Sequence, residues 1–291
     1  MSVGPDSSQN PQPSSGRIAR EVSNAASLEL VVDYPELIVF SSQLAYGSVG
    51  LNSAELIYQT YRMRTAKIPT ILLSVLPHYR SVHHVDIPAE WIRHTLHDLD
   101  AADALNDLRA LATGYLAHPA QAEAIADAIQ HMDALKKLPL VVDPTLGDVE
   151  VGFYTDPALV TALQNTLIPQ ATGLVPNLFE LSQLSGVPLE NLGTAEDIEA
   201  AARGLLAGKL EWVAVTGLRF TAQPILSIML ITHTSAELFS HVFLEHRSKG
   251  VGDAYTALLV SELVAGRSIA DAIPRANTAI VKHIQQLSSD R

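Results

Sequence analysis

The stretch Lys249-Gly250-Val251-Gly252-Asp253 runs directly into Ala254-Tyr255-Thr256-Ala257-Leu258-Leu259-Val260-Ser261-Glu262-Leu263-Val264, so that two glycines open an apolar helix. Glycine reaches φ values that other residues avoid and lets a ligand come close to the backbone. The free amides and positive dipole end of a helix N-terminus favour an anion, and a phosphate fits there. Asp253 is a poor phosphate ligand, because it adds negative charge beside the anion. It fits either as the cap of the helix or as a base that takes a proton from a hydroxyl attacking the phosphate.

Ahead of this stretch, short apolar runs alternate with longer stretches of helical period, the pattern of β-α-β units on a parallel sheet. The runs are residues 37–42, 70–76, 111–114, 138–143, 173–176 and 212–216. The first is followed by the loop Tyr46-Gly47-Ser48-Val49-Gly50 and a helical stretch over 52–66. Apolar residues at 122, 125, 126, 129, 132, 135 and 138 predict a crossover helix over 121–137 that buries one stripe against the sheet. Residues 226–232 and 237–244 alternate apolar and polar around His233-Thr234-Ser235, as an antiparallel hairpin at a sheet edge does. Helices over 252–264 and 268–287 close the chain.

Two more motifs stand at strand ends. Asp143-Pro144-Thr145-Leu146-Gly147-Asp148 follows a buried run, and ligands of open α/β sheets bind outside that edge. Magnesium takes a few carboxylates together with phosphate oxygens and water, which suits Asp148 or Asp143; Asp-Pro is equally an ordinary turn start. In Val175-Pro176-Asn177-Leu178-Phe179-Glu180, Asn177 and Glu180 have the spacing of a capping box, which needs no function to explain it. The coincidence of all three motifs at strand ends points to one shared site.

Composition narrows the classes of partner. The 291 residues are 47% hydrophobic and 5% aromatic, so the core is aliphatic, as in α/β proteins. With 19 Lys and Arg against 31 Asp and Glu, a net charge of −12, and no basic cluster, nucleic acid and anionic membrane are not expected as partners. The absence of cysteine excludes disulfides, thiolate zinc sites and cysteine nucleophiles, and a cytoplasmic protein is expected. Residues 1–22 lack the apolar core of a secretory signal, and no apolar run reaches membrane-spanning length. Ser, Pro, Gly, Asn and Gln dominate residues 1–16. We expect a weakly ordered tail over 1–30 and a single domain over 31–291, without internal repeats.

The three motifs together resemble the ribokinase-like superfamily, and within it the pyridoxal kinases. That family has a late Gly-x-Gly-Asp opening a helix, an earlier Asp-Pro-x-x-Gly-Asp after a strand, and Pro-Asn-x-x-Glu between them. Ser41 through Gly50 is similar to the family's first strand end and substrate loop, and Thr113-Gly114-Tyr115 to its Thr-Gly-Tyr. Two departures stand out: Leu51 intervenes before Asn52, and Leu73-Ser74-Val75-Leu76-Pro77-His78-Tyr79 replaces a polar segment that contacts substrate in the family.

The resemblance implies a mostly parallel central sheet with helices on both faces and an antiparallel edge hairpin. It implies ATP-dependent phosphorylation of the 5′-hydroxymethyl group of pyridoxal or a related vitamin B6 vitamer, with ATP and magnesium as the small-molecule requirements and a monovalent cation left open, in a homodimer. By position, Asp253 is the base, with Gly250 and Gly252 in the catalytic turn. Ser42 and Tyr115 line the vitamer side beside Gly252 and Asp253. Asp143, Asn177, Thr216, Gly217, Gly250 and Val251 lie along the nucleotide, and Asp148 and Glu180 organise magnesium. Alternatives are a hydroxymethylpyrimidine or sugar kinase of the same superfamily, or a vitamer-binding regulator without turnover.

The remaining polar clusters have plainer readings. His78, His83, His84, His94 and His97 are read as solvated surface residues in preference to a transition-metal site. Thr194 is read as a helix cap, and Asp98, Asp100 and Asp103 as one polar helix face.

Overall fold

Strand β1 (Leu37–Leu44) turns Ile38 and Phe40 to one face and Leu37 and Val39 to the other, and all four are buried, so the sheet is covered on both sides. The computed structural model describes residues 34–220, 223–244 and 249–289, with side chains described through residue 286; the expected tail over 1–30 lies outside the described residues. After β1 come α1 (Gly50–Thr60), β2 (Thr65–Leu73), β3 (His84–Asp86), α2 (Ala89–Ala101), β4 (Ala110–Thr113), α3 (Pro119–His131) and β5 (Leu140–Val142). A small ribbon of β6 (Gly147–Asp148) and β7 (Gly152–Phe153) precedes α4 (Ala158–Asn165), β8 (Gly173–Leu174), α5 (Leu178–Ser185) and α6 (Ala195–Arg203). The chain then forms β9 (Trp212–Leu218), β10 (Ile225–Thr232), β11 (Ala236–Val242), α7 (Val251–Val264) and α8 (Ile269–Ser289).

The main sheet has the order β11-β10-β9-β8-β5-β4-β1-β2-β3. Strands from β9 to β2 are parallel, β10 and β11 form the expected antiparallel hairpin, and β3 adds an antiparallel strand at the other edge. One core gathers Ile38, Phe40, Leu111, Val142 and Val213 with the side chains of α2 to α6. The other gathers Leu37, Val39, Ala112, Val141 and Ala214 with α1, α7 and α8. Helix α7 is buried around nearly its whole circumference, which explains its lack of a polar stripe.

Several boundaries differ from the sequence reading. The first helix ends at Thr60, short of 66, because Arg62 adopts a left-handed conformation (φ 54°) and the amides of Tyr61, Arg62 and Met63 close onto its last turn. Residues 65 and 66 instead begin β2, which ends at Leu73 and not at 76. Within β2, Pro69 lacks an amide hydrogen, and the pairing slips one residue there, from Ser41 opposite Pro69 to Ser42 opposite Ile71. Helix α3 stops at His131, and Leu135 stays buried on a following turn whose three-residue spacing mimicked helix. Asp103 lies past the end of α2 with φ 57°, off the helix face that carries Asp98 and Asp100. Thr194 does cap α6, in a reciprocal pair with Asp197.

Gly173 on β8 sits against its parallel neighbour Trp212 on β9, where a Cβ would lie 1.9 Å from the indole ring. Gly173→Ala is therefore expected to lower the unfolding free energy by about 1–3 kcal/mol in urea titration. An unchanged midpoint would show that this contact does not set the strand spacing.

Candidate active site

The parallel strands β1, β4, β5, β8 and β9 all end at one edge of the sheet, and a cavity of about 850 Å³ opens there. The residues that follow the strand ends line it: Ser42, Tyr115, Asp143, Asn177, Thr216 and Gly217. A bulge in β9 marks the last of these positions, where Thr216 and Gly217 stand opposite a single residue of β10 and Gly217 takes φ 72°. The main chain of Tyr115 is held from both sides, its amide donating to Ser41 Oγ (3.2 Å) and its carbonyl accepting from Thr70 Oγ1 (2.6 Å).

The opposite wall comes from two glycine turns that cross. Gly50, at φ 54°, has no room for a side chain, since a Cβ would lie 2.2 Å from Ser42 Oγ. Gly250, at φ 82°, is as tightly placed, with a Cβ falling 1.9 Å from the Ser48 carbonyl oxygen. Between the turns, the buried Ser53 hydroxyl donates to the Gly250 carbonyl at 2.9 Å. The amides of Gly50 and of Asp253 itself lie near the Asp253 carboxylate and favour its charged form. Helix α7 thus starts at Gly250 without a side-chain cap, and Asp253 stands in its first turn, facing the cavity. The simple cap reading of Asp253 does not describe this helix start, because Gly250 holds the N-cap position and no side chain caps it.

Three carboxylates share this space. Burial raises the Asp143 carboxyl above its usual range, opposed by hydrogen bonds from Thr256 and Thr145. Burial, then the nearby charge of Asp143, pushes Asp253 up to about 7 despite its two amide donors. The same two causes push Glu180 up to about 8, against the amides of Asn177, Leu146 and Gly147. Glu180 and Asn177 form the expected capping box on α5, and the Asn177 amide group also donates to the Gly147 carbonyl at 2.8 Å.

Of the predicted site residues, Asp148 alone does not line the cavity; its carboxylate accepts from the amides of Glu150 and Val151 and from the Tyr154 hydroxyl. The five histidines noted in the sequence are exposed, and among the described residues no group of three His, Asp or Glu side chains is spaced to chelate an ion. Sequence reasoning missed Ser53, Thr145 and Thr256, which bind backbone or carboxylate groups of the site. Thr145 lies inside a quoted motif, but the partners of Ser53 and Thr256 are remote in sequence and leave no local signal. It also missed the hairpin wall of His241, Val242, Phe243 and Leu244 and the α8 residues Ile280 and Ile284.

A sequence model of the phosphomethylpyrimidine kinase family matches residues 71–289. The chain is 37% identical to a pyridoxine/pyridoxal/pyridoxamine kinase from Bordetella bronchiseptica, over 86% of this chain and 89% of that protein. The chain belongs to the pyridoxal kinase family. Its fold is that of the family's solved structures. Pyridoxal kinase from Entamoeba histolytica superposes with a TM-score of 0.79 at 20% identity, covering 87% of this chain and 90% of the other. The Leishmania donovani pyridoxal kinase, solved in complex with ADP and pyridoxamine, gives 0.77 at 22% identity, covering 86% of each.

The raised Asp253 carboxyl has a consequence for stability. A carboxyl whose folded pKa exceeds its unfolded value holds its proton more tightly when folded, so its contribution is full below the unfolded value near 3.8 and is lost as pH rises through about 7. Asp253→Asn is expected to remove this loss, making the variant more stable than the parent at pH 8 by roughly 2–4 kcal/mol and its urea midpoint less dependent on pH. Parallel pH slopes for parent and variant would contradict the assignment.

Proposed function

We propose that this chain transfers the γ-phosphoryl group of ATP to the 5′-hydroxymethyl group of pyridoxal or a related vitamin B6 vitamer. The observation that carries the proposal is the Asp253 carboxylate, which lines the cavity from the first turn of α7 where the two glycine turns cross. It joins a group able to take a proton to the amides of an anion-binding helix start. The kinase names of the relatives support the same reading.

In this proposal the acceptor lies on the side of Ser42 and Tyr115, and its hydroxyl faces Asp253. With a pKa near 7, Asp253 is partly ionised at neutral pH and accepts the hydroxyl proton as the oxygen attacks in line. Gly250, Val251 and Gly252 present amides to the transferring group. Asp143, Asn177, Thr216 and Gly217 lie along the nucleotide. The apolar residues Leu73, Leu76 and Pro77 pack the acceptor side where the family carries a polar segment.

The crowded carboxylates fit a divalent cation, because a positive charge offsets the loss of hydration that raises all three and the charge of Asp143 that adds to it at Glu180 and Asp253. Magnesium would be held through water at Glu180, whose two oxygens already accept from the amides of Leu146 and Asn177, and would neutralise charge on the phosphates. Asp148 reaches it only by leaving its own turn. Among the described residues no helix is long and apolar enough to cross a membrane. We propose a cytoplasmic homodimer by family membership.

The direct test is phosphorylation of pyridoxal, pyridoxine, pyridoxamine and hydroxymethylpyrimidine side by side with ATP and magnesium. The vitamers should turn over faster; a preference for the pyrimidine would overturn the acceptor assignment. In Asp253→Asn, kcat should fall by ~10² to 10⁴ while ATP binding survives. Turnover within about threefold of the parent would remove Asp253 as base. Ser42→Ala deletes one neutral hydrogen bond, so the acceptor KM should rise by up to about tenfold with the ATP KM unchanged. The reverse pattern would move Ser42 to the nucleotide side.

A further inference from the structure

We propose that Thr256 is a positioning residue for phosphoryl transfer, its hydroxyl holding Asp143 so that the first turns of α7 keep a fixed place against the loop after β5. The inference rests on the kinase reading above.

Thr256 lies three residues after Asp253, on the same face of α7, and is buried at the cavity wall. A helical threonine commonly turns its hydroxyl back to the carbonyl four residues earlier. Ser261 of the same helix does so, donating to the Ala257 carbonyl at 2.7 Å. Thr256 does not: its Oγ1 donates across the cavity wall to Asp143 Oδ2 at 2.7 Å. The other oxygen of Asp143 accepts from both the amide (3.1 Å) and the hydroxyl (2.8 Å) of Thr145.

One carboxylate therefore ties three segments: the end of β5, the loop that follows it, and the helix that carries Asp253. Thr145 has φ 41°, a conformation that a β-branched residue adopts only when its surroundings impose it. Both of its donors meet Asp143 Oδ1, and Asp143 is in turn held by Thr256. Removing the Thr256 hydroxyl leaves Asp143 Oδ2 without this donor and frees the first turns of α7 from the loop. The groups placed on the two segments then lose their mutual register, to which in-line transfer is sensitive at the level of an ångström.

The test uses the full chain with ATP, magnesium and pyridoxal. Thr256→Val has the shape of the parent side chain and lacks the hydroxyl; Thr256→Ser keeps the hydroxyl. The valine variant is expected to lose about ten- to a hundredfold in kcat, with both KM values within about threefold, and the serine variant to stay within about threefold of the parent. Valine kcat within threefold of the parent, serine failing as far as valine, or a loss confined to KM would each overturn the proposal. Circular dichroism establishes folding first. If the valine variant does not fold, Thr256→Ala and Asp143→Asn take its place, singly and together. Non-additive losses in kcat support the tie, and additive losses overturn it. A parent chain that phosphorylates no vitamer would overturn the kinase reading and this inference together, whereas an active parent with an indifferent valine variant overturns only the inference.

Discussion

The crossing of two glycine turns, held by the Ser53 hydroxyl on the Gly250 carbonyl, sets the Gly50 amide near the Asp253 carboxylate, and the rest of the site is built around it. Neither turn has space for a side chain at its glycine, because Gly50 rests on Ser42 and Gly250 rests on the Ser48 carbonyl. The close approach brings the loop after β1, the helix start and the Asp253 carboxylate into one place without any long side chain to bridge them. Helices α1 and α7 pack on the same face of the sheet, so the crossing is also braced from below by Leu51, Ala54, Leu258 and Leu259. Packing thus fixes the helices, and the glycines let their starts touch.

The cost of this arrangement is electrostatic. Asp143, Glu180 and Asp253 lie around one cavity, and each is raised by removal from water, Glu180 and Asp253 also by the charge of Asp143. Their hydrogen-bond donors are chiefly backbone amides and threonine hydroxyls, which orient the carboxylates without cancelling their charge. Such a site gains most from a ligand that brings positive charge, and burial leaves the Asp253 carboxyl raised to about 7.

Much of the fold was legible because a buried parallel sheet writes itself as short aliphatic runs at regular intervals. The departures have local causes. Arg62 in a left-handed conformation ended the first helix early, Pro69 displaced the pairing of β2, and a turn at Leu135 kept helical spacing without helix. The site was legible where its residues cluster in motifs at strand ends, as Asp143, Asn177, Glu180 and residues 250–253 do. Ser53 and Thr256 were not legible, because a serine or threonine in a helix has many ordinary roles and the partners that give these two a specific one are brought near only by the fold. The closing of Asp148 onto Glu150, Val151 and Tyr154 of its own turn was equally invisible, since the motif specifies the residue and not its rotamer.

The central claim is that the crossing of the two turns aligns acceptor and base, and Gly50→Ala addresses it most directly. The added methyl group must displace Ser42 or the turn itself, moving the Gly50 turn relative to Asp253, while residues 250–252 remain available to phosphates. Single-turnover transfer from labelled ATP to pyridoxal, measured beside equilibrium ATP binding, is expected to slow by more than about a hundredfold with ATP affinity changed by less than about fivefold. Transfer at the parent rate by a folded Gly50→Ala chain would contradict the account.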